Sequence, residues 1–326
     1  MLQRRALLGA SLALPWLAAR PALAAWPDRP IRVIVPFAAG GNTDVITRTI
    51  TGAMAELIGK PFVIENRAGG AGSLGAEMAA RATPDGHTLL AGSGGSLTAN
   101  PVLQSNLPYD TERDFSPIGL VAKVPIVLVL APRMAPRNWP DFLALAKATP
   151  GQLNIASPAI GTTAHFALEL LNHQTGARLT HVPYRGGGSL VADLIAGNFD
   201  GALLELSTAL PLHHEGKARI LVTASEQRVA QIPDVPTFIE GGVAGFTSTS
   251  FTSLLAPTRT PTEVIAALRL ALLGGLANPA IAARLVSLGA QPATPEEASP
   301  AGLTTYLRAE LAKYRQAAEL AGLKPQ

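Results

Sequence analysis

Ile31-Arg32-Val33-Ile34-Val35-Pro36, followed at once by Phe37-Ala38-Ala39-Gly40-Gly41-Asn42-Thr43-Asp44, holds a strand, a small-residue turn and a helix start in one unbroken stretch. The first run is short, apolar and rich in β-branched side chains, which predicts a strand buried on both faces. Asn42 or Thr43 supplies a cap for a helix running to about residue 58. Working outward, residues 61–65 read as a second strand, 73–81 as a second helix and 87–91 as a third strand, with the small-residue loop 92–96 behind it. This βαβαβ succession predicts a parallel sheet with right-handed crossovers. Residues 118–131 form a long apolar β-type stretch around Pro125, as expected of a strand that leaves one sheet and enters another. A second α/β series follows, with helices at 139–148, 162–174 and 189–196 and strands at 153–156, 179–182, 199–204 and 219–223. Residues 246–256 are a candidate return crossing, and helices at 261–276, 279–288 and 300–321 close the chain. The pattern predicts two α/β domains, 25–124 with 246–326 and 125–245, joined by two crossover strands. Ligands of such sheets sit at the carboxyl ends of the strands, and two domains facing each other make a cleft that a hinge can close.

Composition narrows the function. In 326 residues, hydrophobic side chains make up 48% and charged ones 15%, against roughly 25% charged in an average soluble protein. That excludes disorder, coiled coil and nucleic-acid binding together. The 31 glycines and 27 prolines suit many short turns, and the absence of cysteine removes disulfides, thiolate metal sites and thiol nucleophiles. Aromatics at 5% are thin for a stacking platform.

Residues 1–24 read as an export signal: Arg4-Arg5, a short apolar core broken by Pro15, then Ala22-Leu23-Ala24 with the small-x-small spacing of a peptidase site. Cleavage after Ala24 is expected, placing the mature chain outside the cytoplasm. The core is too short to span roughly 30 Å of hydrocarbon. The formal charge of +3 resides in Arg4, Arg5 and Arg20 of the leader, so the mature chain is neutral and gives no reason to expect a polyanionic partner.

Three stretches match motifs that carry chemistry in other proteins. Gly70-Ala71-Gly72-Ser73-Leu74-Gly75 matches G-x-G-x-x-G, but residues 66–69 separate it from its strand and no acidic residue follows at ribose distance, so a packed turn is expected. Ala91-Gly92-Ser93-Gly94-Gly95 resembles a nucleophile elbow, which needs a helix directly after the serine; Gly94, Gly95 and Pro101 argue against that helix. His165 and Glu169 share a helix face, yet no third metal ligand is apparent. No cofactor or metal is expected. The positive signal lies in loops 37–44, 92–98, 157–163 and 184–189, each after a strand and before a helix. Their free N–H groups and hydroxyls suit a small anion, although ordinary βα turns favour the same residues. They nominate Phe37, Ala39, Gly40, Gly41, Asn42, Thr43, Asp44, Ser93, Gly94, Ser157, Thr162, Thr163, Arg185, Gly186 and Gly187. Asp44 would either cap its helix or meet a ligand ammonium, and Arg185 would either pair with a second carboxylate or stay solvated.

The chain also resembles, from Trp26 to the C-terminus, the solute-binding receptors of tripartite tricarboxylate transporters, the Bug-type periplasmic receptors. The resemblance is carried by Trp26-Pro27-Asp28-Arg29-Pro30-Ile31-Arg32, Gly40-Gly41-Asn42-Thr43-Asp44, Glu65-Asn66-Arg67-Ala68-Gly69, Pro84-Asp85-Gly86-His87-Thr88, Leu107-Pro108-Tyr109-Asp110, residues 157–165, His181-Val182-Pro183-Tyr184-Arg185-Gly186 and Pro233-Asp234-Val235-Pro236-Thr237, in order and at matching spacing. It implies a type II periplasmic-binding-protein fold, no catalysis, a small organic carboxylate held by loop amides and hydroxyls, and large and small membrane transporter subunits as partners of a monomeric receptor. The sequence departs from the family pattern at Ala39, Arg185, Phe251 and Ser253, and at Leu204, which stands where Asp is common; its neighbour Glu205 joins the candidate site. The alternatives are a sensor that presents ligand to a membrane kinase and an enzyme, either a secreted serine hydrolase or a dehydrogenase.

Overall fold

The computed structural model describes residues 26–320 and 322; the expected export signal and its cleavage point lie outside the described residues. The chain opens as its sequence predicts: β1 (Ile31–Val35), α1 (Asn42–Ile58), β2 (Phe62–Asn66), α2 (Ser73–Ala80) and β3 (Thr88–Ser93). β1 pairs in parallel with both β2 and β3. Val33, Ile34 and Val35 are fully buried, which explains why the strand is apolar on both faces.

Contrary to expectation, a helix forms directly after Ser93. A π-helical turn, Gly95–Ala99, runs into α3 (Asn100–Leu103) with no intervening loop. Pro101 cannot donate to the preceding turn, but the carbonyls left over there find side chains. Tyr109 donates its hydroxyl to Ser96 O, and Thr111 Oγ1 donates to Leu97 O at 3.0 Å. Two residues well outside the helix thus remove most of the cost of its proline.

β4 (Phe115–Leu130) is one continuous strand. Its first part pairs antiparallel with β9 (Thr249–Pro257) up to Pro125, and from Ile126 it pairs with β7 (Gly201–Glu205). Between these lie α4 (Trp139–Ala148), β5 (Asn154–Ser157), α5 (Thr163–Thr175), β6 (Thr180–Pro183) and α6 (Gly187–Ala196). α7 (Leu206–His214) starts where β7 ends; it has Pro211 inside it and no side-chain cap, so its sequence gives no helical signal. Burial of Leu206, Ala209, Leu210 and Leu212 holds it in place. β8 (Arg219–Thr223) also pairs with β4. After β9 come α8 (Thr262–Ala277), α9 (Pro279–Ser287), β10 (Gln291–Pro292) and α10 (Pro300–Leu320).

The sheet order is β2-β1-β3-β9-β4-β7-β5-β6, with β8 and β10 also on β4. Parallel trios, β2-β1-β3 and β6-β5-β7, thus flank an antiparallel centre. β9 itself pairs only with β3 and β4; the second crossing is made just before it, where Ser248 N donates to Ala224 O and Ile126 N to Ser248 O. Among the described residues no single helix is long and apolar enough to cross a membrane.

Candidate functional site

The carboxyl ends of β1, β3, β5 and β7 converge, and each is followed by a helix whose first N–H groups lack intrahelical partners. Gly41 caps α1, Thr162 caps α5, Gly186 caps α6 and Glu205 caps α7. Their meeting point is a cavity lined by Phe37, Gly41, Asn42, Thr43, Ser93, Gly95, Pro158, Thr162, Thr163, Gly187, Glu205 and Ser250. About 20 Å³ of it is open to the centre of a water-sized sphere. One water needs roughly 10–15 Å³ on that measure, so the cleft is shut around a space for little more than one.

The loops themselves shut it. A Cβ placed on Gly188 would stand 2.3 Å from Ala39 O, and one on Gly186 2.9 Å from Ala38 N, so the backbones meet where only glycine fits. Side chains reinforce the contact. Ser207 donates to Asn42 Oδ1 at 2.8 Å, and Tyr314 of α10 donates to Thr163 Oγ1 at 2.7 Å.

Of the nominated residues, Phe37, Gly41, Asn42, Thr43, Ser93, Thr162, Thr163, Gly187 and Glu205 line the cavity. The others are held elsewhere. Asp44 is buried and its carboxylate is spent on Gly40 N–H (3.0 Å), Arg48 Nε (3.0 Å) and Asn66 Nδ2 (2.9 Å). Burial raises its pKa, but these hydrogen bonds and the Arg48 charge outweigh burial and leave it below the usual value. Asp44 therefore braces the turn, with Asn66 also donating to Phe37 O at 3.1 Å. It does not cap α1, whose cap is Gly41, and it is not among the residues that line the cavity. Ala39 and Gly40 shape that turn outside the cavity wall. Arg185 is exposed, and its backbone N–H goes to Ser189 Oγ. Gly186 N donates to Pro158 O, tying the two loops of the opposing lip at 2.7 Å. Gly94 lies behind the cavity, where a Cβ would meet Thr163 Oγ1 at 2.4 Å.

Two expected hydroxyl donors are already engaged. Thr162 Oγ1 donates to Ala159 O at 2.8 Å and accepts from His165 N at 3.4 Å. Ser157 is fully buried, and its Oγ lies 2.6 Å from His181 Nε2. In place of these, the structure presents Asn42 Nδ2 and Thr208 Oγ1, both buried without a hydrogen-bond partner. Thr208 Oγ1 lies beside Gly187, 3.4 Å from where its Cβ would be. Sequence reasoning missed Thr208, Gly95, Pro158 and Ser250. Pro158 and Gly95 lay inside nominated loops; Ser250 and Thr208 lay in a strand and an unrecognised helix and gave no signal.

Glu205 is the one ionisable residue on the cavity wall, and no Lys, Arg or His joins it there. Burial pushes its carboxyl above the ordinary value, against hydrogen bonds from its own N–H and the Ser250 hydroxyl.

The strand–serine–helix geometry of an elbow exists at Ser93, contrary to expectation. Its backbone N–H is taken by Ser96 Oγ at 3.1 Å, and it faces a wall of amides and hydroxyls. The glycine fingerprint is a packed turn: the carbonyls of Gly70 and Ala71 accept from Asn100 Nδ2, both at 3.2 Å, and a Cβ on Gly75 would stand 2.8 Å from Pro36 Cα. The third group near His165 and Glu169 is His181. The two imidazoles stack, with centroids 4.4 Å apart and planes 26° from parallel. An ion on both lone-pair axes would have to lie where those planes meet, well beyond the ~2 Å reach of an imidazole–zinc bond. His165 Nδ1 also accepts from Gly161 N–H, at 3.2 Å.

The family model of the tripartite tricarboxylate transporter family receptor matches residues 46–316. Among solved structures, the periplasmic binding protein BugD is 30% identical with a TM-score of 0.89, covering 92% of this chain and 100% of its own. A Rhodopseudomonas palustris protein solved with adipate is 31% identical, TM-score 0.89, over 92% of this chain and 100% of its own. MatC from the same organism, with bound malate, is 34% identical, TM-score 0.86, over 90% and 99%. These likenesses span both halves of the sheet, and the architecture is that of a periplasmic binding protein.

Proposed function

This chain belongs to the tripartite tricarboxylate transporter receptor family, and we propose that it is a periplasmic receptor that captures a small organic carboxylate in the cleft and delivers it to a tripartite membrane transporter. The observation that carries this reading is the cavity itself: helix N-termini and unpartnered donors converge on it, with no cation on its wall. An N-terminus stabilises an anion by about 0.3–1 kcal/mol when exposed and up to ~2 when partly buried. Several converging in a closed cleft suffice for micromolar capture, about −8 kcal/mol. Malate and adipate in the relatives' structures support the ligand class. The ligand carboxylate is assigned to the amides at Gly41, Gly95 and Gly187 and to Asn42, Thr43, Ser93, Thr163 and Thr208.

The domains are assigned to 25–124 with 246–326 and to 125–245, hinged at the two crossings. The receptor is assigned as a monomer, exported by a signal cleaved after Ala24, and without enzymatic turnover. Mass spectrometry of ligand released from protein purified out of the periplasm is the direct test. A carboxylate bound at near-unit stoichiometry and recovered unaltered is expected; a non-carboxylate ligand, or conversion of the bound compound, would overturn the reading.

A further inference from the structure

Glu205 is at odds with a simple anion receptor. It stands at the end of β7 with its carboxylate on the cavity wall, Oε2 lying 3.8 Å from the Cβ position of Gly187. The groups around it from the other elements are the hydroxyls of Ser250 and Thr208 and, further off, the buried phenol of Tyr314. None is a cation. With Glu205 ionised, a bound monocarboxylate would place two negative charges in a closed cleft, and a dicarboxylate three, against the partial charges of the helix ends. Two like charges a few ångströms apart in such a space repel strongly, and an unpaired buried charge is costly.

We propose that Glu205 makes this cleft selective for amino-carboxylates, its carboxylate receiving the ammonium of a zwitterionic ligand whose own carboxylate lies against the loop amides. The proposal rests on the carboxylate-receptor reading above and adds the second half of the ligand. An ammonium supplies the one charge the wall lacks and donates to oxygens that otherwise have only Ser250 and the Glu205 N–H. A hydroxyl would supply the donor but not the charge. Burial raises the Glu205 pKa with no cation beside it to lower it, and a ligand ammonium there would favour the charged form. Leu204 beside it is fully buried in the core, so Glu205 is the side chain that this strand end presents to the cavity.

The test compares ligands of one skeleton by calorimetry on the purified, ligand-stripped protein: aspartate, malate and succinate, with 2-aminoadipate and adipate as a longer pair. The amino compound of a skeleton is expected to bind at least tenfold more tightly than its plain dicarboxylate, with malate nearer succinate than aspartate. Glu205→Gln keeps the shape and removes the charge; it should lose that preference while holding the plain dicarboxylate as well as or better than the parent. Equal affinity for amino and plain compounds, malate matching aspartate, or a preference unchanged in Glu205→Gln each overturns the inference and leaves the receptor reading standing. Binding of none of the five overturns the inference, and the receptor reading is then decided separately by the ligand released from the purified protein. Should Glu205→Gln fail to fold, the parent's ratios alone decide.

Discussion

At the scale of single residues, the hydroxyl of Thr162 is committed before any ligand arrives, since its proton goes to Ala159 O and its lone pair to His165 N. Thr162→Ala should therefore act on α5, costing about 1 kcal/mol of stability as lost N-caps do. A calorimetric melt should show the loss, while carboxylate affinity changes less than threefold. Arg185→Ala makes the contrast: with the side chain in solvent, neither quantity should move, and a tenfold loss of binding would restore the guanidinium clamp. Much of the candidate wall was legible because amide-rich turns after strands announce themselves by composition, as Gly41, Asn42, Thr43 and Gly187 do. What sequence could not settle is where each polar atom spends its bonds. Asp44 reads as either a cap or a ligand partner until Arg48 and Asn66, brought in from α1 and β2, are seen to consume it. Thr208 gave no sign because its worth lies in having no partner at all.

At the scale of elements, α6 begins with a glycine that its helix does not need. Gly188→Ala would improve helix propensity by up to about 1 kcal/mol, yet its Cβ would stand 2.3 Å from Ala39 O on the opposing lip. The variant should still fold, its propensity gain offset by the cross-lip hydrogen bonds of Asn42 and Thr163 that it forfeits, and should bind its carboxylate at least tenfold more weakly; unchanged affinity would mean that the two lips need not touch. α5 and β6 carry a second device, the stacked His165 and His181, whose pKa values are pushed down to about 4 by burial and, for His165, by the charge of its neighbour. Between about pH 6.5 and 4 the unfolded chain takes up protons that the folded pair refuses, so stability contributed by the pair is complete above 6.5 and falls as pH drops through that window. The loss should be on the order of a few kcal/mol. Glu169 and Glu205, both raised by burial, oppose this slope. The measurement is therefore the difference between the parent and His165→Gln/His181→Gln in denaturant titrations from pH 7 to 4, where parallel curves would refute it. Elements built on local pattern, such as β1, α1 and the long β4, could be read directly. The helix after Ser93 and α7 could not, because distant groups offset their local faults: Tyr109 and Thr111 in one case, core burial in the other.

For the whole molecule, β4 carries the chain from one parallel trio to the other at residues 125–126, and the chain returns at Ser248, which is hydrogen-bonded to Ala224 and Ile126 just before β9 begins. The cleft between the trios holds space for about one water, whereas a four-carbon acid needs several times that. Ligand can reach the cavity wall only if residues 38–41 separate from 186–188, which breaks the Ser207–Asn42 and Tyr314–Thr163 hydrogen bonds. Each such bond contributes roughly 0.5–1.5 kcal/mol, a cost small enough for an open form to be populated and for a bound ligand to reverse. Bending at residues 125–126 and 248–249 would part the lips without disturbing either parallel trio, since no ladder within a trio crosses those points. Small-angle scattering should then give a larger radius of gyration without ligand than at saturation, and Gly188→Ala should hold the larger value even at saturation. Superimposable profiles for all three samples would show that the lips do not part, and with that result neither hinge nor closure could account for binding.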